Sequence, residues 1–288
     1  MDGERRDEGN LVLMCIFAHP DDESLGTGGT LARYRDEGVD IHLVTATRGE
    51  RGWFGPPDDY PGPGALGSIR EAELEAAAEV LGISTVSFLD YIDGDLDKAP
   101  HDEAVSRIVS HIRRVRPHVA LTFGPEGSYG HPDHIAISQL ATAAAVRAAD
   151  CTFRDPEGRE PHALSKLYYM VVSDAEARLY QQVFGELVMQ IDGVERRAVP
   201  WPDWMITTRI DTERYWRTAY EAIRCHRSQL PGYDDLLAQP EDKLRDLFGY
   251  MTYYRAFSTV NGGRDLETDL FEGLRPQISA PESKQAQQ

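Results

Sequence analysis

The sequence predicts an α/β fold in which a mostly parallel sheet lies between layers of helices. Short apolar runs at residues 11–18, 39–47, 85–89 and 118–123 are each followed by a helical segment. Repeated strand–helix alternation gives parallel strands joined by right-handed crossovers. The first run, Leu-Val-Leu-Met-Cys-Ile-Phe-Ala, is aliphatic and lacks helical periodicity, as a strand covered on both faces does. Charged groups crowd in just after the first and fourth runs, as His19-Pro20-Asp21-Asp22-Glu23 and as the stretch Gly124 to His134. Open α/β sheets bind their ligands at that carboxyl edge.

Taken in order, residues 24–37 read as the first helix, with Leu25, Leu31, Ala32 and Tyr34 facing inward and Gly38 stopping it. Gly26-Thr27-Gly28-Gly29 lies where a dinucleotide fingerprint would, but Leu31 stands where the last glycine belongs, and no Gly-Lys-Ser/Thr follows. The glycines are therefore expected to let the helix approach the sheet. A Pro/Gly loop runs from residue 52 to 67, a length typical of binding loops. Ser68 with Glu71 reads as a capping box opening a helix over 68–81. Further helices are expected at 102–116 and 133–149, and a fifth strand at 167–172. Beyond residue 173 the pattern weakens to a strand at 205–210, helices at 212–230 and 242–248, and an aromatic strand at 250–258. The expected organisation is a flexible N-terminus (1–10), a catalytic core (11–175), an extension of the same domain (176–275) and a disordered tail (276–288). If the first and fourth strands are neighbours, the two charged clusters face each other across a crevice.

Of 288 residues, 30 are Lys or Arg and 48 are Asp or Glu, a net charge of −18. This argues against binding nucleic acid through its phosphates. No stretch of about 18 apolar residues exists, so no membrane span is expected. The charged start of the chain is not followed by a signal-peptide pattern, so the expected location is cytoplasmic. Cys15, Cys151 and Cys225 are too scattered for a disulfide framework. The expected partner is a small-molecule substrate, with a homo-oligomer left open by aromatics such as Tyr250, Tyr253 and Tyr254.

The two clusters supply imidazole and carboxylate at two strand ends. Two His and one carboxylate with an open position describe a catalytic zinc site. His19, Asp22 and His134 form such a set, with Pro20 stiffening the turn between the first two. Asp21, one residue from a ligand, is a candidate base, and a protonated His131 a candidate donor to a developing oxyanion or a leaving group. Either motif alone is commonplace in turns. Asp21 could simply cap a helix, and Asp133 could be a cap or a partner of a ligand.

Ala18-His19-Pro20-Asp21-Asp22-Glu23 together with Tyr129-Gly130-His131-Pro132-Asp133-His134 resembles the LmbE-like (PIG-L) de-N-acetylase family. The resemblance spans roughly residues 11–175. It implies a Rossmann-like three-layer fold and zinc-dependent hydrolysis of an amide on an N-acetylglucosamine-type sugar, with another divalent metal also compatible. It implies His19, Asp22 and His134 as metal ligands and Asp21 as general base. It also implies that His131 stabilises the oxyanion and protonates the amine, that Tyr129 assists at the oxyanion, and that Glu50, Arg70 and Asp93 contact substrate. Cys225-His226-Arg227-Ser228-Gln229 resembles a His-x-Ser-Gln segment of the family, without an assigned role. The alternatives are an amidase acting on a thiol conjugate or glycosylated metabolite and, in a different class, a 2-His-1-carboxylate iron oxygenase.

Overall fold

The computed structural model describes residues 10–185, 188–191 and 193–275. Residues 1–9 and 276–288, expected to be flexible, lie outside the described residues. The chain runs β1 (Val12–Phe17), α1 (Asp22–Asp36), β2 (Asp40–Thr45), α2 (Pro63–Leu81), β3 (Thr85–Phe88), α3 (His101–Val115) and β4 (Val119–Phe123). It continues with α4 (Gly127–Gly130), a single kinked turn, then α5 (Pro132–Ala149), β5 (Lys166–Met170), α6 (Asp174–Phe184) and the hairpin β6 (Val188–Ile191) and β7 (Val194–Arg197). The last elements are β8 (Thr208–Asp211), α7 (Trp216–Cys225), α8 (Asp234–Leu237), α9 (Glu241–Phe248) and β9 (Tyr250–Ser258).

The main sheet has seven strands in the order β3-β2-β1-β4-β5-β9-β8. Strands β1 to β5 are parallel, and β9 and β8 add an antiparallel edge. Strand order reverses direction between β1 and β4, which pair directly through Leu13–Val119 and Cys15–Leu121. Such a reversal opens a crevice at the carboxyl edge, because the flanking connections leave in opposite directions. The expected neighbour relation of the two charged clusters is therefore met. Strands β1 and β4 are buried almost throughout, which explains their aliphatic composition. Helix α3 packs on α5, while α7 packs on α1 and α2.

Three local expectations differ from the structure. Helix α2 begins at Pro63, with Gly62 at φ 87° before it, and Ser68 is an interior residue whose hydroxyl donates to the Gly64 carbonyl at 3.2 Å. Proline at the first helical position pre-sets φ, so the helix starts before the serine can cap it. The glycines of α1 approach more than the sheet. A Cβ on Gly26 would lie 2.0 Å from the Met170 sulfur, but one on Gly28 would meet Ala219 at 3.2 Å and one on Gly29 would meet Thr212 at 2.8 Å. Most of that smooth face thus receives the C-terminal part of the chain. Helix α7 covers only the middle of the expected span, because the chain turns at His226 and carries that ring into the interior.

Residues after 175 also close a polar network under the sheet. Lys166 and Glu267, 0% and 1% exposed at their side chains, form an ion pair at 2.7 Å. Tyr168, Thr208 and Asn261 donate to the same carboxylate, and Arg255 lies 2.7 Å from it. Burial would raise the Glu267 carboxyl, but Lys166 and the other donors hold it down at about 2.

Arg255 still faces Glu267 when Lys166 is removed, so Lys166→Ala is expected to cost roughly 1.5–3 kcal/mol in denaturant unfolding, the worth of one hydrogen bond to a charged group. The folded carboxyl lies below its unfolded value of about 4.3, so its contribution is complete above that pH and drains away as pH falls towards the folded value. Glu267→Gln should therefore trail the parent most at pH 6 and converge with it by pH 2, as read by urea midpoints. A gap independent of pH would contradict this account.

A candidate metal centre at the carboxyl edge of the sheet

The chain leaves β1 through Ala18 and His19 and turns sharply into α1. Asp22, at the start of that helix, accepts the backbone N–H groups of Ala18 and His19 at 3.1 and 2.8 Å. Its carboxylate is thereby fixed beneath the turn. His134 enters from the first turn of α5, across the crevice. Its ring stacks on Phe123 with centroids 3.9 Å apart, and its Nδ1 lies 3.3 Å from the Gly127 carbonyl.

The hydrogen-bond network assigns both imidazole tautomers. The Gly127 carbonyl can only accept, so His134 Nδ1 carries the proton and Nε2 presents a lone pair. His19 Nε2 lies 3.1 Å from Asp133 and 3.1 Å from Asp93, so that nitrogen carries the proton and Nδ1 presents the lone pair. The two lone-pair nitrogens point at one another across 3.2 Å. Asp22 closes the group with both carboxylate oxygens, Oδ2 at 3.8 Å from His19 Nδ1 and Oδ1 at 3.4 Å from His134 Nε2. Three acceptors with no proton between them call for a cation. Metal–ligand bonds of about 2.0–2.1 Å at tetrahedral angles place ligand atoms roughly 3.3 Å apart, and the three observed distances bracket that value. The residues present fit a metal ion.

The electrostatics agree. Burial would lower His19, but its hydrogen bonds to Asp133 and Asp93, and the charges of Asp93 and Asp22, raise it well above the ordinary imidazole value. His134 is pushed well below it by burial and by His19. Burial, with the neighbouring Asp21 and Glu23 charges, raises Asp22 above the usual carboxylate range against the pull of His19. These shifts draw a proton towards the cage, and a bound cation would take its place and leave both rings neutral, with His19 Nδ1 and His134 Nε2 presenting lone pairs. A second grouping, His19 with His131 and Asp133, also lies close enough to hold an ion. There Asp133 already accepts the N–H groups of Gly94 and Leu96 at 2.7 and 3.1 Å, and His131 accepts that of Asp133. Asp133 is fully buried, and it orients His19 as carboxylate partners of metal-bound histidines do.

Asp21 sits beside the cage with φ 116°, a conformation that few non-glycine residues adopt. It does not cap α1 with its side chain. Its N–H donates to Glu23 at 3.0 Å. Arg70, 3% exposed, donates to the Pro20 carbonyl, the Asp21 carboxylate and the Gly49 carbonyl. A Cβ on Gly49 or on Gly52 would lie 2.4 Å from the guanidinium, so both positions admit only glycine at this approach. Asp93 accepts the Arg51 N–H as well as facing His19, and Glu50 accepts the N–H groups of Arg48 and Asp93. Each of the three residues expected at the substrate therefore bonds within the protein, and only Glu50 is more than about a tenth exposed.

His131 is the N-cap of α5, its Nδ1 accepting the Asp133 N–H at 3.1 Å, so Nε2 carries the proton. Burial and the His19 charge lower it to about 4. Through Nε2 the ring can donate even when it is neutral. Tyr129 follows Ser128, which has φ 65°, and its ring meets His134 and His131 edge-on at 5.3 and 6.0 Å. Its hydroxyl is kept protonated by burial and by Asp22, Asp21 and Asp93.

Sequence reasoning gave no role to Glu23, His226 or Tyr233. His226 pairs with Glu23 at 2.8 Å, both side chains 1% exposed. Burial opposes its charge, and Glu23 raises its pKa nonetheless. Ser228 donates twice to Glu73, and Gln229 donates to the Gly52 carbonyl at 2.9 Å. Tyr233 donates to Asp21 at 3.0 Å. Two signals were available: a glutamate just past a buried strand, which requires a partner, and the resemblance of His226-Arg227-Ser228-Gln229 to a family segment.

The sequence profile of the PIG-L family, GlcNAc-PI de-N-acetylase, matches residues 14–145. The 1D-myo-inositol 2-acetamido-2-deoxy-alpha-D-glucopyranoside deacetylase of Streptomyces avermitilis is 35% identical over 92% of this chain and 97% of its own. Among solved structures, N,N'-diacetylchitobiose deacetylase from Pyrococcus horikoshii superposes with a TM-score of 0.64 at 23% identity, over 85% of this chain and 83% of that one. GalB, the 4-carboxy-2-hydroxymuconate hydratase from Pseudomonas putida, superposes with a TM-score of 0.61 at 21% identity, over 88% and 99% of the two chains. One fold thus carries different reactions, and the likeness at these identities concerns the fold alone. The near-full-length identity to the Streptomyces deacetylase, together with the profile match across both histidine motifs, makes this chain a member of the PIG-L de-N-acetylase family.

Proposed function

We propose that this protein is a metal-dependent hydrolase that removes the acetyl group from an N-acetylglucosamine-type sugar, with an N-acetylglucosaminyl-inositol as the foremost substrate. The observation that carries the reaction is the convergence of His19 Nδ1, His134 Nε2 and the Asp22 carboxylate, with a second carboxylate, Asp21, beside them. The substrate is carried by the name of the Streptomyces relative. The three cysteines are free thiols, which suits a cytoplasmic setting.

His19, Asp22 and His134 would hold the metal. A nitrogen–nitrogen–oxygen set favours zinc, which when bound polarises the acetyl carbonyl and acidifies the attacking water. Asp21 takes the proton that this water gives up and returns it to the departing nitrogen. His131, with a proton on Nε2, donates to the oxygen that gains charge as the carbonyl is attacked, and Tyr129 adds a second donor. A C–O bond forms, the C–N bond breaks, and the products are acetate and the free amino sugar. Arg70 acts through Asp21 and Asp93 through His19, whereas half-buried Glu50 is the one of the three with surface left to meet a sugar hydroxyl.

Primary-amine release from N-acetylglucosaminyl-inositol should be lost with a chelator and restored best by zinc when zinc, iron(II), manganese and cobalt are compared. Restoration by iron alone would overturn the zinc assignment. Asp21→Ala should keep its metal and lose roughly 10²–10⁴ in kcat/KM, whereas His19→Ala should lose metal and activity together. His131→Ala should keep its metal and lose about 10²–10³ in kcat. Amine release by Asp21→Ala at the parental rate would remove that residue from the reaction.

A further inference from the structure

The short segment 226–233 touches the site at four points. His226 pairs with Glu23, which in turn receives the Asp21 N–H. Ser228 binds Glu73 of α2, and Gln229 binds the Gly52 carbonyl beside Arg70. The segment then closes a tight turn, with the Gly232 N–H donating to the Gln229 carbonyl at 2.9 Å. A Cβ on Gly232 would lie 2.9 Å from the Phe54 ring, so the loop following β2 supports this turn from its other side. The turn delivers Tyr233, whose hydroxyl donates to Asp21 Oδ2 at 3.0 Å.

The same oxygen receives Arg70 Nη2 at 3.2 Å. Among the described residues no hydrogen bond reaches Oδ1. Two donors on one oxygen fix the rotation of the carboxylate about its last bond. They leave the other oxygen as the acceptor and determine where it points. A single donor would leave the carboxylate free to swing, since that torsion is broad. Resting on the reading of Asp21 as the base, we infer that Tyr233 is a positioning residue that locks the Asp21 carboxylate, together with Arg70, so that Oδ1 faces the attacking water. The profile match ends at residue 145, so this contact arrives from a part of the chain outside it. Tyr233 is not a catalytic residue in this assignment, because it acts through Asp21.

The test uses the full-length, metal-loaded protein and N-acetylglucosaminyl-inositol. Phenylalanine keeps the ring and removes only the donor. Tyr233→Phe is expected to lower kcat by roughly ten- to a hundredfold, the worth of one hydrogen bond to a charged group. KM should stay within about twofold, and metal per chain should be unchanged. Combined with Asp21→Ala, the same change should cost nothing further, because the group it positions is gone. Parental kcat in Tyr233→Phe while Asp21→Ala is inactive would overturn the inference and leave the base in place. An undiminished loss in the Asp21→Ala background, or a loss carried by KM, would equally overturn it, by showing that Tyr233 acts on something other than Asp21. Full activity of Asp21→Ala would instead overturn the reading on which the inference rests.

Discussion

The backbone of Asp21 is held at φ 116°, and most of the site depends on that turn. A conformation of this kind costs an L-residue on the order of 1–3 kcal/mol and persists only where its surroundings over-determine it. Here the surroundings do so. Glu23 takes the N–H, two α1 amides donate to the carbonyl, and Arg70 with Tyr233 takes the carboxylate. The gain is directional. A helical Asp21 would follow its neighbours around α1, whereas the left-handed turn separates its side chain from that of Asp22. Adjacent residues can then do different work, as the proposed roles of ligand for Asp22 and base for Asp21 require.

The rest of the architecture serves this turn and its counterpart on α5. The reversal of strand order between β1 and β4 brings two distant sequence motifs to one edge of the sheet. The proton on each histidine is then tied down on the side away from the cage, by Gly127 for one ring and by Asp133 and Asp93 for the other. Asp133 is itself secured by two backbone amides of the segment after β3. That segment therefore shapes the site through His19 rather than by lining it.

The first 150 residues were legible because their signals are local. An aliphatic run, a stop, and an ionisable cluster at a strand end need no tertiary knowledge to interpret, and the parallel strands β1 to β4 and the grouping of His19, Asp22 and His134 follow from them. Ser68 misled because a capping box is a local preference, and Pro63 nucleates the helix upstream of it. Helix α6 went unread although Ser173 and Glu176 form a genuine capping box. His226 and Tyr233 were illegible for a different reason. Their partners, Glu23 and Asp21, lie more than 200 positions away, and no periodicity encodes such a pairing. The charge state of His131 likewise depends on burial and on His19, which only the folded chain brings together.

The clamp on Asp21 is also divided in time. All three ligand positions have been synthesised once residue 134 is made, but Tyr233 follows about a hundred residues later. At typical translation speeds that is a delay of roughly 5–20 s. On the proposed assignments, the residues that would hold the ion are made well before the residue that would aim the base. The segment made last is then the one that completes the site as it docks.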